Sequence, residues 1–372
     1  MVRIVHTADW HLGKLLYGVH LTADQARFFE TEFCPLLRDL RPDLLVVAGD
    51  VFDRSVPPAE AVQLLSEILT RLHAEGIRVL LLPGNHDSRE RLAFGRELLS
   101  RLGIHLVTGE DLLFSPLDLG GIRVYGVPHL PPLVLREVLE SRGLLPAEFS
   151  GGFGDLWRVL LQGIPSGKER RILVAHILVE GGEKEETGEE LWVGGEEALA
   201  AEIFASLDLV LLGHLHRPQQ PAPNIFYAGS PYPLSFSEKV IPRGVWMFEF
   251  SGEGGPSREF IPLSSWELKV LRGTFAELLQ GPGYSGYVKV ILEDETPVPQ
   301  AFERLKRVFP GLLALETPAL RGLAGEIRRI EKGDLHDPLR LFRLFLQEIE
   351  GRPPTAEEEG LLREALNRLD ST

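Results

Sequence analysis

The chain is 372 residues long, 44% hydrophobic and 25% charged, a balance that excludes wholesale disorder and implies more than one hydrophobic core. Its formal net charge of −15 argues against a binder that grips nucleic acid through a basic surface of its own, unless divalent ions or a partner subunit supply the positive field. The single cysteine, Cys34, excludes an internal disulfide and a cysteine-rich zinc site, and its apolar setting in TEFCPLL predicts a packed thiol.

Val2 to His6 reads as the first strand, with no basic region and long apolar stretch ahead of it. No run approaches the roughly 18 apolar residues of a membrane helix. Neither a signal peptide nor a membrane span is expected, and the expected compartment is cytoplasmic. RIVHT is followed along the chain by LLVVAGD, VLLLPGN, RILVAHI and LVLLGHL, continuous apolar runs of the kind buried on both faces of a sheet. Between them, Ala23 to Leu40, Pro58 to Glu75 and Glu90 to Leu102 read as amphipathic helices, so the fold class is layered α/β. NIFYAG, GVWMFEF and REFIPL read as a meander closing the sheet.

Glu180 to Glu190 holds six glutamates and three glycines and is expected to be a surface loop. From Trp266 to Ile330 the pattern is strand, helix, strand, helix, strand, a small α+β domain. Asp337 to Leu369 reads as two amphipathic helices broken at Gly351, Pro353 and Pro354, with Leu339, Phe342, Leu346 and Ile349 as a stripe on the first. The expected parts are therefore 1–262, 263–332 and 333–372.

Five polar clusters follow predicted strands: Asp9 with His11, Asp50 with Asp53, Asn85-His86-Asp87, His176, and His214 with His216. In open α/β sheets the carboxyl ends of strands face the ligand crevice, so these clusters can converge. Each alone has a plainer reading. An Asp and a His in a loop are often a cap or a solvated pair, Asp87 precedes a helix as an N-cap would, and a lone histidine on an apolar strand is usually core. Their conjunction at strand ends favours a metal site. Four histidines, two aspartates and an asparagine form a mixed N/O set suited to manganese, iron or zinc, and they exceed the needs of one ion. Two ions sharing a carboxylate, about 3.5–4 Å apart, suit phosphoryl displacement.

DxH, GDxxD, GNHD, the lone His and GHxH resemble the metallophosphoesterase (calcineurin-like) superfamily across roughly residues 1–230. The resemblance implies a sheet sandwich flanked by helices. It implies one ion on Asp9, His11, Asp50 and His216, and another on Asp50, Asn85, His176 and His214. His86 and Asp53 are the implied catalytic pair, His86 at the phosphate and Asp53 orienting a ligand histidine. GNHD argues against phosphoprotein phosphatases, which have Glu after the His, and Ser55 breaks their GDxxDRG motif, leaving Arg54 structural. YAGSPYPLSFSE, from Tyr227 to Glu238, resembles the SbcD family, prokaryotic relatives of the Mre-eleven repair nuclease, as do VFDRSVPP and LWVGG. YVKVILEDETPVP and LKRVFPGLLALE resemble that family's DNA-capping domain, and DPLRLFRLFLQEIEGRPPTAEE its ATPase-binding helices.

The family implies a DNA nuclease, a 3′-to-5′ exonuclease and single-strand endonuclease using two divalent ions, with Mn2+ the expected species. Its implied partners are DNA and an SbcC-type SMC-like ATPase, in a heterotetramer built on a homodimer. Ala23 to Leu40 and Arg89 to Leu102 are the candidate dimer helices. Rival readings are a nucleotide phosphodiesterase, which the acidic charge favours, and an inactive scaffold, which the full ligand set opposes. His129 stays unassigned, His20, His73, His105 and His336 lack ligand spacing, and His6 is expected in the core.

Overall fold

Strand β1, Val2–Thr7, turns Ile4 and Val5 into two different apolar layers, as the period-2 alternation of a strand requires. The same alternation recurs in β4 (Leu44–Ala48), β5 (Val79–Leu82), β9 (Arg170–His176) and β10 (Leu209–Gly213), and it fixes the architecture. The computed structural model describes residues 1–109, 116–146, 148–183, 197–238, 240–252, 254–318, 342–343, 353–355 and 358–363. They fall in two compact units, Met1–Lys269 and Val270–Thr372.

In the first unit, the described residues form a hairpin, β2–β3 (Leu15–Leu16 and Val19–His20), and two six-stranded sheets. One sheet sets β1, β4, β5 and β6 (Ile104–Leu106) parallel, with β13 (Gly244–Phe250) antiparallel to β1 and β14 (Ser257–Pro262) antiparallel to β13 beyond it. The other runs β11 (Gln219–Ala222), β12 (Ile225–Tyr227), β10, β9, β8 (Ile122–Val127), β7 (Leu117–Asp118), with β12, β10, β9 and β8 parallel.

Ile4, Val46 and Leu80 of one sheet meet Val124, Val174 and Leu211 of the other in one buried layer. Val5, Val47 and Leu81 pack outward on Phe29, Leu64 and Ile68. Leu173 and Leu212 pack outward on Leu139 and Trp157. The result is a helix–sheet–sheet–helix sandwich, which brings two sets of strand ends to one edge.

Helix boundaries differ from the sequence expectation in two places. The predicted helix over Ala23 to Leu40 contains a π turn, Phe29–Phe33, between Thr22–Phe28 and Cys34–Leu40. Pro35, just beyond it, has no N–H to donate into the ladder. Phe29 and Phe33 both reach Trp10, with ring centroids 4.8 and 5.6 Å away. The predicted helix over Glu90 to Leu102 is split into Arg89–Leu92 and Arg96–Arg101, because Gly95 adopts φ +71° between them.

The strand meander also differs. NIFYAG supplies β12 of one sheet, whereas GVWMFEF and REFIPL supply β13 and β14 of the other. Phe226 packs on Trp246 and Phe248 at 5.2 and 5.0 Å, across the layer between the sheets.

In the second unit, β15 (Leu268–Gly273), β16 (Tyr287–Leu292) and β17 (Leu312–Glu316) form a three-stranded sheet with helices Phe275–Gln280 and Ala301–Lys306. Phe275, Val290, Leu305 and Phe309 form its core. Thr274 and Glu277 make a capping box that starts the first helix. The acidic run beyond Glu183, LWVGG, His336 and nearly all of the expected helical pair lie outside the described residues.

Candidate metal centre

Asp9 and His11 follow β1, Asp50 follows β4, His176 ends β9, and His214 and His216 follow β10. Asp9, His11, Asp50 and His214 all have positive φ, at 53°, 42°, 48° and 105°. Such backbone costs of order 1–3 kcal/mol each in non-glycine residues and persists where the surroundings over-determine it. The surroundings here do so. Gln25, fully buried, donates to the carbonyl of His11 at 2.9 Å and accepts from the N–H of Gly13 at 3.0 Å. The Tyr232 hydroxyl donates to the carbonyl of Trp10. Gly49 and Gly84 leave room for the ligands, since a Cβ would collide with the ring of His176 at the first and the carboxylate of Asp50 at the second.

The structure brings all seven predicted ligand residues together. His11 Nε2 lies 3.1 Å from His216 Nε2, and Asp9, His11 and His216 form a group able to hold one ion. His176 Nε2 lies 3.0 Å from Asn85 Oδ1, and His214 Nδ1 lies 3.2 Å from the same oxygen. Asp50 stands between the groups, its Oδ2 3.6 Å from His11 Nε2 and 3.3 Å from His176 Nε2. Asp9 also touches the second group, 4.0 Å from His176 and accepting from the His214 N–H at 2.9 Å.

The donor set fits divalent cations. His176 Nδ1 faces the Ala48 carbonyl at 2.8 Å and must donate its proton there, so the Nε2 lone pair faces Asp50 and Asn85. Burial works to lower the pKa of His176, but Asp50 and then Asp9 outweigh it and raise it to about 9. Burial likewise works to raise Asp50, yet His176, His11 and His86 hold it well below the carboxylate range. Asp50 and His176 thus each favour the charged form of the other in metal-free protein. His11 Nε2 and His216 Nε2, 3.1 Å apart, are close enough to share one ion with Asp9. Asp9 Oδ2 is buried without a hydrogen-bond partner among the described residues, an acceptor left over for a cation.

His86 lies beside the first group, its ring 4.8 Å from that of His11. Its Nδ1 donates to the Asp53 carbonyl at 3.0 Å, and its N–H donates to Asp50 Oδ1 at 3.0 Å. Asp53 Oδ1 stands 3.6 Å from His11 Nδ1 and 3.2 Å from Lys14 Nζ. Burial opposes its ionisation, but His11 and Lys14 hold its carboxyl far below the usual range.

Some of the supporting residues were not assigned from the sequence. Asp87 is not an N-cap; Ser88 is, accepting from the Arg91 N–H. The Asp87 carboxylate instead accepts from the N–H groups of Val51, Phe52 and Gly84 at 2.9, 2.8 and 2.9 Å, tying the GDVFD and GNHD loops together. Glu238, in the motif SFSE, reaches His216 Nδ1 at 3.2 Å. Of the unassigned histidines, His129 stands with its ring 6.4 Å from that of His176. His6 is buried between the sheets, where burial lowers its pKa to about 3.

Comparison with known proteins agrees with this geometry. Residues 2–218 match the family model described as calcineurin-like phosphoesterase. Residues 265–350 match a second, SbcD_C, described as the type 5 capsule protein repressor C-terminal domain. The SbcD subunit of the Staphylococcus epidermidis nuclease SbcCD is 30% identical over 321 residues, 84% of this chain and 85% of that one. Its Staphylococcus saprophyticus counterpart is 30% identical over 323 residues, 84% of each chain. The chain belongs to the SbcD family of calcineurin-like phosphoesterases. As an SbcD-family phosphoesterase it is a metal-dependent hydrolase, and its candidate ligands lie within the matched phosphoesterase segment. Among the described residues, no helix is long and apolar enough to cross a membrane.

Proposed function

We propose that this chain is the nuclease subunit of an SbcCD-type complex and hydrolyses DNA phosphodiesters. The observation that carries the reading is the convergence of two ligand groups on one carboxylate, Asp50. Asp9, His11, Asp50 and His216 would hold one ion, and Asp50, Asn85, His176 and His214 the other, with Mn2+ the expected species. Such a pair, when bound, neutralises phosphate charge and acidifies a water for in-line attack. His86, with Nδ1 anchored on Asp53, offers its Nε2 side to the phosphate and supports the leaving oxygen as acid or hydrogen-bond donor. Asp53, paired with Lys14, keeps His11 oriented toward the centre.

We assign 1–262 to the nuclease domain, 263–332 to a DNA-capping domain and 333–372 to a helical segment for an SbcC-type ATPase. With a net charge of −15, binding to DNA relies on the ions and on that partner. Phe94 and Leu98, 88% and 69% exposed, support self-association through the segment 89–102, giving a homodimer within a heterotetramer. The compartment is cytoplasmic, and the activity is 3′-to-5′ exonucleolytic and single-strand endonucleolytic.

The test is cleavage of end-labelled single- and double-stranded DNA with Mn2+, comparing the intact chain with His86→Ala. Metal-dependent cutting, with shortening from the 3′ end, that is lost in the variant is the expected result. No cutting of either substrate, with a small phosphodiester still hydrolysed, would replace this reading with a nucleotide phosphodiesterase.

A further inference from the structure

Besides His11, which Asp53 faces at 3.6 Å, His216 has a charged support. Its Nδ1 meets Glu238 Oε1 at 3.2 Å, and the Glu238 side chain is 1% exposed. Glu238 Oε2 accepts from Arg243 Nη2 at 2.8 Å and from the Leu234 N–H at 2.9 Å. Arg243 is itself buried, and its Nη1 donates to the carbonyls of His216, Ser230 and Tyr232 at 3.1, 3.4 and 3.4 Å. The guanidinium therefore grips both the acid that supports His216 and the main chain that carries it.

We infer that Glu238, anchored by Arg243, is a positioning residue that fixes the tautomer and orientation of His216 toward the first ion, a role that rests on the two-ion reading above. The chemistry follows from the charge state. A carboxylate with an arginine on one oxygen stays ionised and can only accept hydrogen bonds. Its other oxygen then requires an N–H at His216 Nδ1, which leaves Nε2 with its lone pair toward His11 and Asp9. The Glu238–Arg243 ion pair is by itself weak evidence of a stabilising role, since desolvation offsets much of the attraction between buried charges. Apolar side chains would leave the imidazole free to adopt either tautomer.

The experiment titrates metal-free protein with Mn2+ by calorimetry and follows histidine tautomers by 15N resonance, for the intact chain and Glu238→Gln. A glutamine can present either its oxygen or its NH2, so it fits the space without dictating the tautomer. The intact chain is expected to bind two ions and show His216 protonated at Nδ1 alone. The variant is expected to bind one ion about 10- to 100-fold more weakly, keep the other within about twofold, and show mixed His216 tautomers. If Glu238→Gln fails to fold, the paired change Glu238→Leu with Arg243→Leu removes both charges, and the same selective weakening is expected. Unchanged affinity for both ions overturns the inference, as does equal loss of both, which would mark a merely structural role. An intact chain that takes up no ion overturns the two-ion reading itself, and this inference with it.

Discussion

One histidine in each half of the centre is held by a different means: His176 leans on the carbonyl of Ala48, His216 on the carboxylate of Glu238. Ala48 ends β4 and His176 ends β9, so that support comes with the pairing of two sheets and no side-chain substitution removes it. Glu238 sits in the chain between β12 and β13, and one substitution removes it. The second half should therefore be robust and the first tunable.

The largest effect should come from the residue both halves share. Asp50→Asn is expected to weaken both ions and reduce hydrolysis by about 10^4-fold or more, the equivalent of roughly 5.5 kcal/mol. Loss of a single ion in calorimetry would deny the shared role. His86→Ala, outside both ligand sets, is expected to slow hydrolysis by roughly 10^2- to 10^3-fold while both ions bind as before; steady-state rates at saturating Mn2+ separate the two.

Removing metal should act on stability. With ion at about a hundred times its dissociation constant, binding contributes about 2.7 kcal/mol, or roughly 5–10 °C in melting temperature for a unit of this size. Adding a chelator during thermal unfolding measures that shift, and Glu238→Gln should gain less from Mn2+ than the intact chain.

The smallest effect concerns a third buried histidine. His6 and His176 are equally buried, yet His6 is lowered to about 3 by burial and His176 is raised to about 9 by Asp50 and Asp9. The His6 pKa is depressed below its unfolded value of 6.5, so its contribution is complete above that pH and is lost as pH falls toward 3. At pH 5 the loss is of order 2 kcal/mol. In metal-free protein, His6→Leu should flatten this acid limb of the urea midpoint, and an unchanged slope would remove His6 as its cause.

The candidate ligands were legible in the sequence because each is local: a short polar motif at the end of an apolar run. The layered fold followed from the same runs. What supports the ligands was not legible, since it depends on contacts across the fold. Asp87 reads as a helix cap until the loop of Val51 and Phe52 is seen to donate to it. Glu238 belongs to a recognisable motif, but its bond to His216 spans 22 residues and needs Arg243 to be ionic in a buried place. The π turn before Pro35 and the break at Gly95 had signals, a proline and a glycine, that helical periodicity overrode.

The central claim is a pair of ions bridged by Asp50, and electron paramagnetic resonance of the Mn2+-loaded chain tests it most directly. An exchange-coupled spectrum at two ions per chain, collapsing to isolated-ion signals in Asp50→Asn, is the predicted result. One ion per chain with an uncoupled six-line spectrum in the intact protein would contradict the account.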